Sequence, residues 1–147
     1  MFQIIALHER PRNILRELGE IWKEAVASTH FFLTEEDKKK LYPLVLDALK
    51  NVPFLFMAKN EQGAIQGFMG IEGRKIEMLF IHPHAQKQGL GRQFFIHAQN
   101  AYHIQYVDVN EQNPDALRFY QKMGFTPFGR SEYDELGNHF PLLHLKL

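Results

Sequence analysis

Residues 86–92, QKQGLGR, bring two glycines and two cations together where a predicted strand gives way to a predicted helix. A helix N-terminus exposes unpaired N–H groups and the positive end of the helix dipole. Glycine lets that backbone approach an anion closely, because no Cβ stands in the way. This turn is therefore a candidate cradle for a pyrophosphate group, with Lys87 and Arg92 adding positive charge at its mouth. The residues of the cradle are Gln86, Lys87, Gln88, Gly89, Leu90, Gly91 and Arg92.

Two interpretations of this turn stay open from its residues alone. It either cradles an anion, or it is a tight strand-to-helix turn that needs glycine and binds nothing. It is not a Walker A loop, because no Gly-Lys-Ser/Thr follows. It is not a dinucleotide-binding GxGxxG loop either, because Phe94 occupies the third glycine position.

The spacing of apolar residues predicts the elements that hold this turn in place. Strands are expected at 2–7, Phe54–Lys59, Ile65–Glu72, Lys75–Ile81, 104–109, 125–130 and 142–147. Helices are expected at 14–28 after an Asn13 cap, from Thr34 onward, where Asp37 completes a capping box, and at 89–102 and 114–123. Pro43 is expected to start or kink the second helix, and Gly124 to cap the last one.

The resulting order is β-α-α-β-β-β-α-β-α-β-β. The strand–helix–strand unit at 75–109 predicts a parallel pair joined by a crossover, and the hairpins around it predict antiparallel neighbours. The fold class is therefore α/β, or α+β, with a mixed sheet in a single domain over 1–147.

Composition narrows the classes of function. The 147 residues carry 17 basic and 17 acidic side chains, which gives no support for a nucleic-acid or membrane partner. The absence of cysteine excludes disulfides, thiolate metal sites and a cysteine nucleophile. The histidines lack metal-ligand spacing, so no metal is expected. The first residues lack a signal-peptide pattern and no apolar run approaches about 18 residues, so we expect a cytoplasmic protein.

Two motifs in the chain resemble those of the GNAT N-acetyltransferases. Gln86, Gly89 and Gly91 match the acetyl-CoA signature Q-x-x-G-x-G, and NEQNPDALRFYQKMGF resembles the later motif N-x-x-A-x-x-F-Y-x-K-x-G-F. A closer likeness is to the YjaB-type branch of bacterial acetyltransferases, in IWKEAVASTHFFL, VNEQN, FYQKMGF, GRSEYDELG and PLLHL. The resemblance covers essentially the whole chain and implies a sheet with a splayed central parallel pair. Many members have glycine where Lys87 stands.

The resemblance also implies a reaction, the direct attack of an amine on the thioester of acetyl-CoA, the co-substrate. Backbone groups of Leu79, Phe80 and Ile81 would then pair with the pantetheine and polarise the thioester carbonyl. The motif position of Tyr120 implies a general acid for the departing thiolate. From its spacing alone, beside Phe119 and at helical spacing from Ala116, Tyr120 is better interpreted as a core aromatic residue.

Other site residues are less firmly indicated. Glu77 lies two residues before Leu79, so both should face one side, and burial would fit Glu77 for the role of general base. Asn110 and Asn113 are candidates for cofactor contacts, although Asn113 also suits a helix N-cap. The resemblance implies that His30, Phe31 and Phe32 line the acceptor pocket; an aromatic plug between two helices is the alternative.

We therefore expect an acetyl-CoA-dependent N-acetyltransferase whose acceptor is a protein lysine, a protein N-terminus or a small-molecule amine. The competing hypothesis is a non-catalytic acyl-CoA-binding sensor. The expected partners are acetyl-CoA and the amine. The chain is expected to be a monomer, or a homodimer through its C-terminal strands.

Overall fold

The computed structural model describes residues 1–147, and a seven-stranded sheet forms its centre. In chain order the strands are β1 (Gln3–Ala6), β2 (Phe54–Lys59), β3 (Ile65–Glu72), β4 (Lys75–Ile81), β5 (Tyr106–Asn110), β6 (Thr126–Ser131) and β7 (Leu142–Lys146). Their order across the sheet is β1-β2-β3-β4-β5-β7-β6. Only β4 and β5 are parallel, and every other neighbouring pair is antiparallel.

Four helices cover the sheet: α1 (Arg12–Thr29), α2 (Glu35–Asn51), α3 (Leu90–Tyr102) and α4 (Pro114–Lys122). A short 3-10 turn, Pro83–Ala85, leads from β4 towards α3. None of these helices has both the length and the apolar character needed to cross a bilayer.

Alternation along the strands divides the apolar residues between two cores. On β2, Leu55 and Met57 pack with residues of α1 and α2, whereas Phe56 and Ala58 pack with residues of α3 and α4. A side-chain period of two sends successive residues to opposite faces of a sheet. The central strands are therefore buried on both faces and form a rigid support for whatever lies at their ends.

The predicted architecture is confirmed, and β2, β3 and β4 have the predicted bounds. Thr34 and Asp37 form the predicted capping box. The prediction for Asn13 is wrong, because α1 begins at Arg12 and Pro11 is its N-cap. Pro43 lies inside α2 and does not start it. At the end of α4, Gly124 follows the C-cap Met123 and adopts φ +107°, a conformation that favours glycine.

Candidate active site

The parallel pair β4–β5 is joined over only a short length. Its paired residues are Lys75 with Tyr106 and Ile76 with Val107, and beyond them the two strands diverge. A cavity of about 120 Å³, here called the wedge, opens between the diverging strands. Leu79, Asn113 and Tyr120 are among the residues that line it. Backbone groups of β4 that face the wedge have no strand partner there, as the resemblance implied.

The divergence begins at a β-bulge. Gly70 pairs with Met78 and Ile71 pairs with Ile76, which leaves Glu77 as the extra residue on β4. Because the bulge interrupts the two-residue alternation, Ile76 and Leu79 pack against the same core. The prediction that Glu77 shares a face with Leu79 through simple alternation is therefore wrong. The carboxylate of Glu77 lies 3.8 Å from Lys75 Nζ, and Glu77 still lines the wedge.

A longer groove of about 420 Å³ continues from the wedge along the end of β4. It brings together most of the predicted side chains of the site, including His30, Gln86 and Lys87, and adds groups from α1 and α4. The residues lining the groove are Ala25, Thr29, His30, Leu79, Phe80, Ile81, Gln86, Lys87, Gly91, Asn113, Asp115, Ala116, Arg118, Phe119, Tyr120 and Lys122.

At one end of the groove the backbone presents a run of free donors. No N–H group from Lys87 to Arg92 donates to another group of the chain, and the first N–H of α3 with a partner is that of Gln93, bonded to Gly89 O at 3.0 Å. Lys87 and Gly89 both have positive φ, +61° and +85°. Free N–H groups around left-handed residues at a helix N-terminus form a concave anion-binding site. The residues present therefore fit a pyrophosphate.

The two glycines of the turn are required for different reasons. Gly89, the N-cap of α3, needs its left-handed conformation, and a Cβ there would meet no atom within 4 Å. Gly91 is helical, and a Cβ there would lie 3.1 Å from the Phe119 ring. Gly91 thus lets α3 pack against α4, whereas Gly89 shapes the backbone.

Of the predicted cradle residues, Gln86, Lys87 and Gly91 line the groove, and Gln88, Gly89, Leu90 and Arg92 do not. Gln86 Nε2 donates to Ile81 O at 3.2 Å and ties the turn to the end of β4. Gln88 Nε2 donates to His84 O at 2.7 Å, and its side chain does not line the groove. Leu90 is buried in the core, and Arg92 is exposed outside the groove.

Tyr120 lines both the wedge and the groove. Its ring packs edge-on against Phe119 and Phe125, with centroids 5.0 and 5.5 Å away. Burial is the one cause that raises the pKa of the Tyr120 phenol above its ordinary value. The hydroxyl therefore stays protonated and can donate a hydrogen bond at the wedge.

The three residues predicted to line the acceptor pocket have different surroundings in the structure. His30 lines both cavities, and burial lowers the pKa of its imidazole to about 4, so the ring is neutral near pH 7. Thr29 Oγ1 lies 2.7 Å from His30 Nδ1. Phe32 does not line either cavity and instead packs between His30 and Phe140. Phe31 is 82% exposed, so it does not form an aromatic plug between α1 and α2.

The asparagines of the second motif are largely engaged in local structure. The side-chain oxygen of Asn113 accepts from Ala116 N at 3.3 Å and caps α4, as its sequence position suggested. Asn110 Oδ1 accepts from Gln112 N at 3.0 Å. Both residues line the wedge, and Asn113 also lines the groove.

Burial raises the pKa of the Glu77 carboxyl, and this effect outweighs the opposing charge of Lys75. For Asp108, burial acts in the same direction, but hydrogen bonds from Lys75 and His144 outweigh it and lower the pKa. The pKa values of these two carboxyls, which both line the wedge, are thus shifted in opposite directions. Sequence reasoning missed Asp108, Lys75, His144 and Ser131, whose sole signal was a polar side chain within a predicted strand or at its end.

Comparison with known proteins agrees with this geometry. Residues 22–143 match the family model described as an acetyltransferase (GNAT) domain. The chain is 42% identical to the peptidyl-lysine N-acetyltransferase YjaB of Escherichia coli K12, over 97% of this chain and 96% of that protein. It is 31% identical to the E. coli peptidyl-lysine N-acetyltransferase YiaC, over 81% of this chain and 82% of that protein.

Solved structures show the same fold. The solution structure of apo YjaB from E. coli superposes with a TM-score of 0.88 at 38% identity, covering 99% of this chain and 97% of that one. The E. coli ribosomal-protein-S18-alanine N-acetyltransferase shares the fold at a TM-score of 0.71 and 16% identity, over 100% of this chain and 93% of that one. The chain therefore belongs to the GNAT acetyltransferase family and is an enzyme that transfers an acetyl group to an amine.

Proposed function

We propose that the protein acetylates the ε-amine of lysine side chains in proteins or peptides, with acetyl-CoA as the acetyl donor. The observation that carries the proposal is one continuous groove with free N–H donors at one end and the Tyr120 phenol at the other. The names of the relatives at 42% and 31% identity support a lysine acceptor.

The groove residues suit the parts of acetyl-CoA in order. The N–H groups of 87–92 would hold the pyrophosphate, with charge added by Lys87. Charge-assisted hydrogen bonds of about 1.5–3 kcal/mol each outweigh a helix-dipole contribution of about 0.3–1 kcal/mol. The edge of β4 at Leu79, Phe80 and Ile81 that faces away from β3 has no partner on β5, and its backbone groups would orient the pantetheine. Asn110 and Asn113 would border it in the wedge.

Acetyl-CoA supplies an acetyl group on a thioester whose thiolate departs as the amine takes its place. The Tyr120 phenol would donate a hydrogen bond to that thiolate as it forms. A thiol has a pKa near 8.5, well below that of the Tyr120 phenol, so the sulfur leaves as a thiolate without taking the phenol proton. The hydrogen bond from the phenol partly neutralises the negative charge on that sulfur. A backbone N–H at the splayed end of β4 would stabilise negative charge on the carbonyl oxygen.

Glu77 is our proposed base for the amine. Its raised pKa makes it a better proton acceptor than an exposed carboxylate, and it lines the wedge together with Tyr120. His30, neutral and in contact with both cavities, would border the incoming amine. Phe32 would hold His30 in place, and Phe31, exposed nearby, would contact the peptide outside the cavity.

The release of CoA thiol tests this proposal. We expect turnover with a peptide that has one lysine and a blocked N-terminus, and none when arginine replaces the lysine. Tyr120→Phe should fold normally and lose turnover by at least about 100-fold, the usual contribution of general acid catalysis. Tyr102→Phe, which removes a phenol outside the groove, is the matched control.

Two results would contradict the proposal. Wild-type rates in Tyr120→Phe would remove the acid role. Binding of acetyl-CoA without thiol release, across lysine peptides, free N-termini and small amines, would favour a sensor over an enzyme.

A further inference from the structure

A chain of hydrogen-bonded side chains crosses the sheet next to the wedge. His144 Nδ1 on β7 lies 2.6 Å from Asp108 Oδ1 on β5, and His144 Nε2 lies 2.6 Å from Ser131 Oγ on β6. Lys75 Nζ on β4 donates to the other oxygen, Asp108 Oδ2, at 2.8 Å. These four side chains, from four different strands, are called the Asp108 network below.

Asp108 lies where three cavities meet. It lines the wedge, and it also lines two cavities of about 420 and 260 Å³ that involve the connection between β6 and β7. No other residue lines all three. An amine that moves from either outer cavity towards Tyr120 therefore passes the Asp108 carboxylate.

We propose that Asp108 binds the ammonium group of the acceptor as it enters the wedge, and that His144, backed by Ser131, is the residue that positions Asp108. This inference rests on the proposed function, because it states how the lysine acceptor of that reaction is selected.

The charges around Asp108 favour a cation. Lys75 Nζ lies 3.8 Å from both Glu77 and Glu135, in addition to its bond to Asp108. Three carboxylates thus share one ammonium group, and negative charge remains in excess. Each carboxylate oxygen accepts more than one hydrogen bond, so a second ammonium can be bound without displacement of Lys75.

Asp108 and Glu77 are suited to different tasks. The lowered pKa of Asp108 keeps it ionised as the acceptor approaches, whereas the raised pKa of Glu77 makes that carboxylate the better proton acceptor. A pair of neighbouring carboxyls with opposed acidities is a recognised way to divide binding from proton transfer.

His144 holds Asp108 in one orientation. A carboxylate only accepts hydrogen bonds, so Nδ1 of His144 carries the proton towards Asp108, and Nε2 is then free to accept from the Ser131 hydroxyl. Asp134 and Glu135 are the other charged side chains at this cavity.

Peptide binding in the presence of CoA tests the inference without turnover. Calorimetry would compare a blocked lysine peptide with the same peptide carrying norleucine, which keeps the side-chain stem and lacks the charge. Asp108→Asn should weaken lysine-peptide binding at least about tenfold, as expected for a lost charge-assisted hydrogen bond, and leave norleucine-peptide binding unchanged. Glu132→Gln, at an exposed carboxylate that lines none of the three cavities, is the matched control and should change little.

His144→Asn separates positioning from mere structural support. An asparagine amide keeps a donor near the place of Nδ1, so His144→Asn should keep the affinity for the lysine peptide, whereas His144→Leu, which has no donor, should weaken it and leave norleucine-peptide binding unchanged. Equal weakening of both peptides by Asp108→Asn, or equal lysine-peptide affinities in His144→Asn and His144→Leu, would overturn the inference.

Two outcomes of these measurements distinguish this inference from the proposed function. The role of Asp108 alone is overturned if the wild type releases CoA with lysine peptides and Asp108→Asn still prefers the lysine peptide to the norleucine peptide as strongly as the wild type does. No release of CoA with any lysine peptide overturns the proposed function and the inference together.

Discussion

At the scale of single residues, a substitution at Gly89 should change both the stability of the fold and the binding of acetyl-CoA, and the two effects can be measured separately. Gly89→Ala should destabilise the protein by about 1–2 kcal/mol, because a residue with a Cβ is strained at positive φ even where space is free. We also expect weaker acetyl-CoA binding, since relief of that strain would turn the N–H groups of the cradle. Urea unfolding and calorimetry measure the two effects.

Gly63 provides the matched control. It has φ +80° in the β2–β3 hairpin, with no atom within 4 Å of an added Cβ, and it lies outside the groove. Gly63→Ala should cost a similar free energy and leave acetyl-CoA binding unchanged. If both variants bind acetyl-CoA like the wild type, the geometry of Gly89 has no part in binding.

His30 predicts a pH dependence of stability. Its pKa is about 4 in the folded chain, below the ordinary value of 6.5, so the unfolded chain binds the extra proton between these pH values. The stability it contributes is therefore fully present above pH 6.5 and is lost as the pH falls towards 4. His30→Gln should flatten the stability curve in this window, by an amount on the order of 3 kcal/mol.

Urea titrations of both proteins at several pH values measure this difference. His8→Gln, at an exposed histidine, controls for the loss of an imidazole. Parallel curves for the wild type and His30→Gln would mean that His30 is not held neutral by burial.

At the scale of elements, the capping box is the local signal that fixes the start of α2. Thr34 Oγ1 accepts from Asp37 N at 3.0 Å, and Asp37 Oδ2 accepts from Thr34 N at 2.9 Å. Thr34→Ala should cost about 1 kcal/mol, measured as a lower urea midpoint with an unchanged slope. Thr34→Ser keeps the hydroxyl and should cost far less. Equal losses in both variants would place the effect in packing of the threonine methyl group.

Local signals of this kind explain which elements could be predicted from the sequence. The runs Phe54–Lys59 and Ile65–Glu72 are apolar and separated by a turn that ends in glycine, so their bounds follow from pattern alone. The start of α1 was misplaced because Asn13, a common cap, lies one residue beyond Arg12, where the helix begins. The bulge at Glu77 depends on register between β3 and β4, which no local pattern encodes.

At the scale of the whole molecule, sequence distance decided which parts of the site were predictable. Residues 86–92 and the segment around Tyr120 are contiguous motifs, and the structure brings them to one groove. The Asp108 network joins strands that are distant in the chain, so its hydrogen bonds exist only after the sheet has formed. A histidine in LLHLK has no local feature that distinguishes a solvent-facing ring from one bonded to Asp108.

The groove also links acetyl-CoA binding to the stability of the entire fold. Its walls come from α1, β4, the cradle and α4, and these elements contribute to both hydrophobic cores, so unfolding of either core destroys the site. Acetyl-CoA at about 100 times its dissociation constant should then add about 2.7 kcal/mol to the free energy of unfolding. For a chain of this size the melting temperature should rise by roughly 5–10 °C.

Thermal unfolding with acetyl-CoA, CoA and NADH measures this linkage and identifies what the groove recognises. NADH contains a pyrophosphate but no pantetheine, so it can occupy the cradle while leaving the wedge and the free edge of β4 at 79–81 without a ligand. We expect a large shift with acetyl-CoA and CoA and a small one with NADH. Equal shifts for all three would mean that only the cradle binds, and no shift at millimolar acetyl-CoA would contradict a coenzyme site in this groove, because saturation of a site shared by both cores must stabilise the folded chain.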